Sequence, residues 1–248
     1  MAARGRDQFL VWGAVGAVTL AAWGYLAHMA AMPEMAGGLG PWTGADVLFA
    51  FVMWVVMMVG MMLPSAAPVI LLVAAISRRR AAAGGPGLTI AFGLGYVLAW
   101  GGFSVVATAA QWGLHTAALL SPRLATTSPL LEGVLLVLAG VYQLTPLKAA
   151  CLAHCRSPLG FLMTEWREGA RGALRMGFGH GLYCLGCCAC LMGLLFVAGV
   201  MNLLWVAVIA AFVLVEKVAP GGPRAGRLLS WALIGAGLVV LARALSGP

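Results

Sequence analysis

Apolar stretches long enough to cross a lipid bilayer recur along the whole of this 248-residue chain. A helix needs about 20 apolar residues to cross the roughly 30 Å hydrocarbon core of a membrane. We predict spans near 9–31, 46–76, 88–112, 129–150, 176–199, 201–218 and 227–245. Helices are favoured over barrel strands because the stretches lack two-residue alternation and a backbone in lipid must pair its own polar groups. The sequence therefore predicts an all-α, polytopic membrane helix bundle of about seven transmembrane helices, with residues 1–248 forming a single transmembrane domain.

Charged residues are scarce and unevenly distributed. Only 9% of the residues are charged and 62% are apolar, so the chain cannot cover a soluble surface and its main partner is the lipid bilayer. The net charge of +8 does not indicate nucleic acid binding, because the basic residues lie between the apolar stretches. Thirteen of the fifteen Lys and Arg residues fall on one predicted side, against Arg123 and Arg243 on the other. This asymmetry predicts a cytoplasmic N-terminus and a C-terminus outside.

The six cysteines occur in two short clusters, each with a histidine nearby. The first cluster is Cys151, His154 and Cys155, and the second, with the preceding histidine, is His180, Cys184, Cys187, Cys188 and Cys190. At 100° per residue the thiols of the second cluster lie within about 80° of the histidine, on one helix face. Thiolate and imidazole select Cu(I) or Zn, whereas hard cations need carboxylates. The sequence predicts a soft-metal site, and the alternative is that the cysteines pack as small apolar residues.

Methionines follow the second predicted span at helical spacing. The candidate ligands among them are Met57, Met58, Met61 and Met62. Thioethers bind Cu(I) and largely ignore zinc, although methionine is also a common filler between helices. Counted along the helix, Met62 lies about as deep in the membrane as His180, and Pro64 frees a backbone acceptor beside the methionines. We therefore predict that the methionines and the cysteines share a layer of the membrane.

Several expectations concern the ends of the spans. The segment Cys151–Cys155 is expected in a turn at the cytoplasmic surface, and the polar segment 157–175 is expected to contain a short surface helix. Glu216 and Lys217, which end the sixth predicted span, are expected to extend to the membrane interface, and the alternative for Glu216 is a proton or metal relay. Alternating glycines at 177–181 predict that another helix approaches the fifth span closely.

Four segments that overlap these features are informative together. They are MMVGMMLPSAAP (57–68), YQLTPLKAACLAHCRSP (142–158), GLYCLGCCACLM (181–192), and MNLLW with a later EK (201–205 and 216–217). Over roughly residues 46–218 the chain resembles a bacterial family of predicted metal-binding integral membrane proteins, which carries a domain-of-unknown-function label. The resemblance implies metal binding but no particular reaction.

Three functional hypotheses follow. The leading one is a metal-homeostasis protein of the bacterial inner membrane that binds Cu(I), with Zn as the other candidate ion, and transports it or delivers it to a copper enzyme or metallochaperone. The second is a membrane thiol-disulfide oxidoreductase that uses the Cys184-x-x-Cys187 or Cys187-x-x-Cys190 pair. The third is an assembly or structural subunit with inert cysteines. Because thioethers add nothing to dithiol exchange, the methionines favour the first hypothesis, in which the protein is not an enzyme.

Overall fold

The computed structural model describes residues 2–32, 42–79, 85–121 and 124–246, and within these ranges the chain forms helices and no strand. The helices are α1 (Ala2–Ala30), α2 (Gly44–Arg79), α3 (Gly85–Thr116), α4 (Pro129–Gln143), α5 (Pro146–Arg156), α6 (Pro158–Glu165), α7 (Gly169–Gly193), α8 (Leu195–Ala198), α9 (Leu203–Val218) and α10 (Gly222–Ser246). The all-α prediction is confirmed. Arg80 and Arg123, which contributed to the predicted charge asymmetry, lie outside the described residues.

Several of these helices could cross a membrane. Among the described residues, five segments are long and apolar enough: most of α1, α2 and α3, α7 together with α8, and α10. A sixth arises if α4 and α5, which are bent by 63° relative to each other, count as one span. Helix α9 has 16 residues and is therefore about 24 Å long, shorter than the hydrocarbon core. The helices are compatible with a multi-pass membrane protein, and the count of seven and the orientation of the termini stay predictions.

The predicted span 129–150 is wrong as one straight helix. Pro146 has no amide hydrogen to continue the helix, and a proline disfavours helical geometry in the residue before it. Thr145 is accordingly extended, and its side chain accepts a hydrogen bond from the backbone N–H of Lys148, which caps α5. The segment Cys151–Cys155 consequently lies on a helix and not in the expected turn.

The short helix expected in the segment 157–175 is present as α6, but it occupies only the first half. The rest of the segment is a short connection and the first turns of α7, which begins at Gly169. Helix α6 buries Phe161 and Leu162, each 2% exposed. It therefore packs on the bundle as well as facing outward.

Helices α2 and α7 form the centre of the bundle, and α1 and α10 form its periphery. Half of the most apolar window of α2 and 44% of that of α7 are buried, against 17% in α1 and 11% in α10. The exposed apolar side chains of the peripheral helices are suited to contact with lipid tails. The buried faces of α2 and α7 thus point toward the interior of the bundle.

Helix α3 approaches α7 at small residues, as the glycines at 177–181 predict. A Cβ atom on Gly177 would collide with the backbone of Phe92, and a Cβ atom on Gly95 would collide with the backbone of Leu174. The two helix backbones can lie this close only because neither glycine carries a side chain. The close approach holds the cysteine-bearing part of α7 firmly against α3.

Candidate metal centre

Three thiols of α7 converge in the interior of the bundle. Cys184, Cys187 and Cys188 are each 1% exposed, and their Sγ atoms all lie within 4.8 Å of one another. Spacings of three and four residues place them on the same helix face. The thiols of Cys187 and Cys188 donate to the backbone carbonyl of Cys184, at 3.1 and 2.9 Å. Local helix geometry therefore assembles these three sulfur atoms.

Two neighbouring helices each add one sulfur atom. The Sγ of Cys155, on α5, lies 3.9 Å from the Sγ of Cys187, and the Sδ of Met62, on α2, lies 3.8 Å from the Sγ of Cys188. We name the five side chains the sulfur cluster: Cys155, Cys184, Cys187, Cys188 and Met62. Two sulfur ligands bound to one ion at about 2.3 Å stand about 3.8 to 4.0 Å apart. The donor set thus fits a soft metal ion, and each of these two contacts has the spacing of two ligands on one ion. Cys155 stands outside the group of thiols that all lie within 4.8 Å of one another.

A buried lysine lies against the sulfur cluster. Lys217, near the end of α9, is 7% exposed, and its ammonium donates to the Sγ of Cys184 at 2.8 Å and to the hydroxyl of Ser65 at 3.1 Å. A lysine ammonium has donors only, so the sulfur of Cys184 accepts. A buried cation needs a compensating anion, and a thiolate is stabilised beside one. This contact gives the cluster a fixed positive charge within the bundle.

The tyrosine of α3 completes the surroundings of Cys184. Tyr96 is 1% exposed, and its hydroxyl lies 3.1 Å from the Sγ of Cys184. The same hydroxyl donates to the backbone carbonyl of Met62 at 3.2 Å. Helix α3 therefore connects the thiol side of the cluster to the thioether side.

The residue before Lys217 forms a second buried charge contact. Glu216 and Lys148, which are 1% and 3% exposed, form an ion pair between α9 and α5. Arg156 donates to the carbonyl oxygens of Glu216 and Ala219, at 2.6 and 2.8 Å, and so covers the end of α9. Breaking a buried pair of this kind costs about 3–5 kcal/mol. The pair holds α5, and with it Cys155, against the bundle.

The expectation that Glu216 and Lys217 extend to the membrane interface is wrong. Both are buried because each has a partner inside the protein, a lysine ammonium for the glutamate and a thiol for the lysine. Lys148 and Lys217 also entered the predicted loop charges, although the structure buries both of them.

Neither predicted histidine ligand joins the sulfur cluster. His180 is 3% exposed and lies among aromatic rings, with its centroid 5.0 Å from that of Phe161 and 6.0 Å from those of Phe92 and Tyr96. Its Nδ1 has no hydrogen-bond partner within the described part of the chain. His154 is exposed and stacks on the ring of Tyr183, with centroids 4.2 Å apart. The imidazoles therefore lie outside the group of ligand atoms within 4.8 Å of one another.

The remaining predicted ligands lie around the cluster. Cys151 is half-buried and faces Gly186, where an added Cβ atom would lie 2.5 Å from its Sγ. Cys190 is half-buried and stands outside the group of converging thiols. Three further methionines belong to the buried core, namely Met57, Met58 and Met61. Of the four predicted methionines, the structure brings Met62 into contact with a thiol.

Sequence reasoning missed the polar groups that support the thiols. The sequence does contain an indication for Lys217, because adjacent charged residues at the end of a long apolar stretch are a reason to expect a functional residue inside a membrane. No such indication exists for Tyr96, since nothing in its surrounding sequence distinguishes it from a packing residue. The expectation that Pro64 frees an acceptor agrees with the structure, where the carbonyl of Gly60 accepts from the indole N–H of Trp23 at 3.3 Å.

Comparison with known proteins yields a match to a family model. The model of a family named PpoB2 and described as a copper chaperone matches residues 51–240, which is more than half of the chain and contains the whole sulfur cluster. No protein with a curated description matches, and no solved structure matches.

Proposed function

Since the chain belongs to the PpoB2 copper chaperone family, we propose that it binds Cu(I) in the sulfur cluster and passes the ion on, by transport or by delivery to another protein. Copper is the cargo in this proposal. The observation that supports it most strongly is the convergence of three buried thiols within 4.8 Å of one another, with a fourth thiol and a thioether from two other helices each within 4 Å of one of them.

The donor set favours Cu(I) over zinc. All five candidate ligand atoms are sulfur and one of them is a thioether, a ligand that binds Cu(I) and is rare around zinc. The imidazoles that would suit zinc lie elsewhere, with His180 among aromatic rings and His154 stacked on Tyr183. A Cu(I) ion bound by two or more thiolates carries a net negative charge, and the ammonium of Lys217 offsets it.

The cellular setting is part of the proposal. We place the protein in the bacterial inner membrane as a single seven-span domain with α9 as its shortest crossing, a cytoplasmic N-terminus and an outer C-terminus. A metallochaperone is the partner expected as a donor, and a copper enzyme is the partner expected as an acceptor. The distribution of Lys and Arg supports this orientation.

Burial argues against the oxidoreductase alternative. Thiol-disulfide exchange requires a partner thiol to reach the reacting sulfur, whereas Cys184 and Cys187 are each 1% exposed. All six cysteines are free thiols. Metal binding needs only that a small ion reach these sulfur atoms, so the geometry favours it.

Anaerobic titration of the reduced, detergent-purified protein tests the proposal. In competition with a chromogenic Cu(I) chelator, we expect the protein to take up one tightly bound Cu(I) ion per chain and to bind Zn more weakly. The triple variant Cys184→Ser/Cys187→Ser/Cys188→Ser should lose this binding, because hard hydroxyl oxygens replace soft ligands. Cys190→Ser, a matched change on the same helix outside the cluster, should keep it. Tight Cu(I) binding by the triple variant, or preference for Zn, would contradict the proposal.

A further inference from the structure

A cleft of about 620 Å³ opens beside the sulfur cluster, where α5, α6 and α7 meet. Its volume lies within the roughly 300 to 1,000 Å³ of small-molecule sites. The residues that give it chemical character are Cys151, Glu165, Arg167 and Arg175, above an apolar wall that includes Phe161 and Met176. The lining therefore includes residues with a thiol, a carboxylate and two guanidinium groups.

Cys151 connects the cleft to the cluster. It lines the cleft, and it lies one helical turn before Cys155 on α5, so the two side chains are neighbours on one helix face. It also faces Gly186, the residue before Cys187 on α7. A metal ion held by Cys151 is thus close to two members of the sulfur cluster.

The charges indicate which ligand fits. Guanidinium groups bind carboxylates through paired hydrogen bonds, which suits Arg167 and Arg175 to an acidic ligand. Glu165, in the same cleft, suits an ammonium group. Cu(I) outside a binding site is held by soft thiolates. A thiol that also carries carboxylates and an amine satisfies all of these groups.

We propose that the cleft binds a small zwitterionic thiol, an amino acid or short peptide carrying Cu(I), and that Cys151 receives the ion from it. The transfer rests on the Cu(I) binding proposed above. In the exchange, the bond between copper and the carrier sulfur breaks as the bond to the sulfur of Cys151 forms. The proton of the Cys151 thiol passes to the released carrier thiolate. Copper remains Cu(I) throughout, and no electron is transferred.

Binding to the cleft can be tested without copper. S-methylglutathione, a peptide with two carboxylates, an amine and no free thiol, should slow the alkylation of Cys151 several-fold in the reduced protein, with Cys190 as the internal reference in mass spectrometry. The variant Arg167→Gln/Arg175→Gln should lose this protection. The variant Arg171→Gln, which changes an arginine of α7 that does not line the cleft, should retain it. If the peptide did not protect Cys151, or protected it equally in the double variant, the proposal that the cleft binds this peptide would be overturned.

Transfer is tested by stopped-flow measurement of copper uptake from two carriers. Uptake from Cu(I)-glutathione should saturate with carrier concentration and slow several-fold in the double arginine variant, whereas uptake from Cu(I)-cysteamine, which has no carboxylate, should be unaffected. Cys151→Ser should slow uptake from both carriers and leave the equilibrium Cu(I) affinity unchanged. If the Cys151→Ser variant took up copper at the wild-type rate, the proposed role of the Cys151 thiol in the transfer would be overturned. If the wild-type chain bound no Cu(I), the proposed function would fail, while the alkylation assay would still decide whether the cleft binds the peptide.

Discussion

The two cysteines of α5 lie one helical turn apart and have different surroundings. The sulfur of Cys155 is 3.9 Å from that of Cys187 and belongs to the sulfur cluster, whereas Cys151 lines the open cleft and faces Gly186. The two residues share one helix and are both half-buried. The two thiols of one sequence motif thus differ in what they meet on α7, a second thiol for Cys155 and a glycine for Cys151, and the proposed roles of holding and exchanging a metal ion follow this difference.

Serine substitution at each position tests this comparison most directly. We expect Cys155→Ser to weaken Cu(I) affinity about a hundredfold, or about 2.7 kcal/mol, because it removes one sulfur ligand. The matched variant Cys151→Ser should keep the wild-type affinity. Competition titration against a Cu(I) chelator measures both. Equal losses in the two variants would remove the distinction between them.

The buried charge beside the cluster provides a sharper test. Lys217→Met should weaken Cu(I) affinity about tenfold, in the range seen when a group that supports a metal ligand is removed, without changing the stoichiometry. Arg224→Met removes the same charge from an exposed position on α10 and serves as the control. The same titration measures both variants. A loss of similar size in Arg224→Met would mean that overall charge is responsible, and not the contact with Cys184.

The smallest effect is expected at the thioether. Met62→Leu should lower Cu(I) affinity a few-fold and leave zinc affinity unchanged, because thioethers contribute to soft-metal binding and not to zinc binding. Met53→Leu, about 14 Å away along α2, is the matched control. Parallel Cu(I) and Zn titrations distinguish the outcomes, and unchanged Cu(I) affinity in Met62→Leu would exclude the thioether as a ligand.

Much of the fold was predictable because hydrophobic length and composition decide where helices form in a membrane protein. The fourth predicted span is wrong because the prediction followed the length of the apolar stretch and gave too little weight to the helix-breaking residues within it. Pro146, preceded by a threonine that can cap the next helix, marks the break between α4 and α5. The charges of Glu216 and Lys217 were placed at the membrane surface because their partners lie on other helices, which hydropathy does not show.

The sequence predicts which site residues meet on one helix, but it does not predict which residues of different helices meet. The convergence of Cys184, Cys187 and Cys188 follows from their spacing on α7 alone. The contact of Met62 with Cys188 brings a methionine to a thiol, but counting along the helices placed Met62 level with His180, which lies about 12 Å before Cys188 on α7. Depth also does not tell which helices are neighbours. His180 has the spacing of a ligand but lies among the rings of α3 and α6, since tertiary packing decides the surroundings of a side chain.

The order in which the cluster's parts are synthesised follows from their positions in the chain. Met62, Cys155 and the thiols of α7 emerge before Lys217, the buried charge that faces Cys184. Because chains are made from the N-terminus onward, a partly synthesised product holds the sulfur atoms without their balancing cation. For the proposed Cu(I) site, this order means that the full set of groups around the metal is complete only after α9 has entered the bundle.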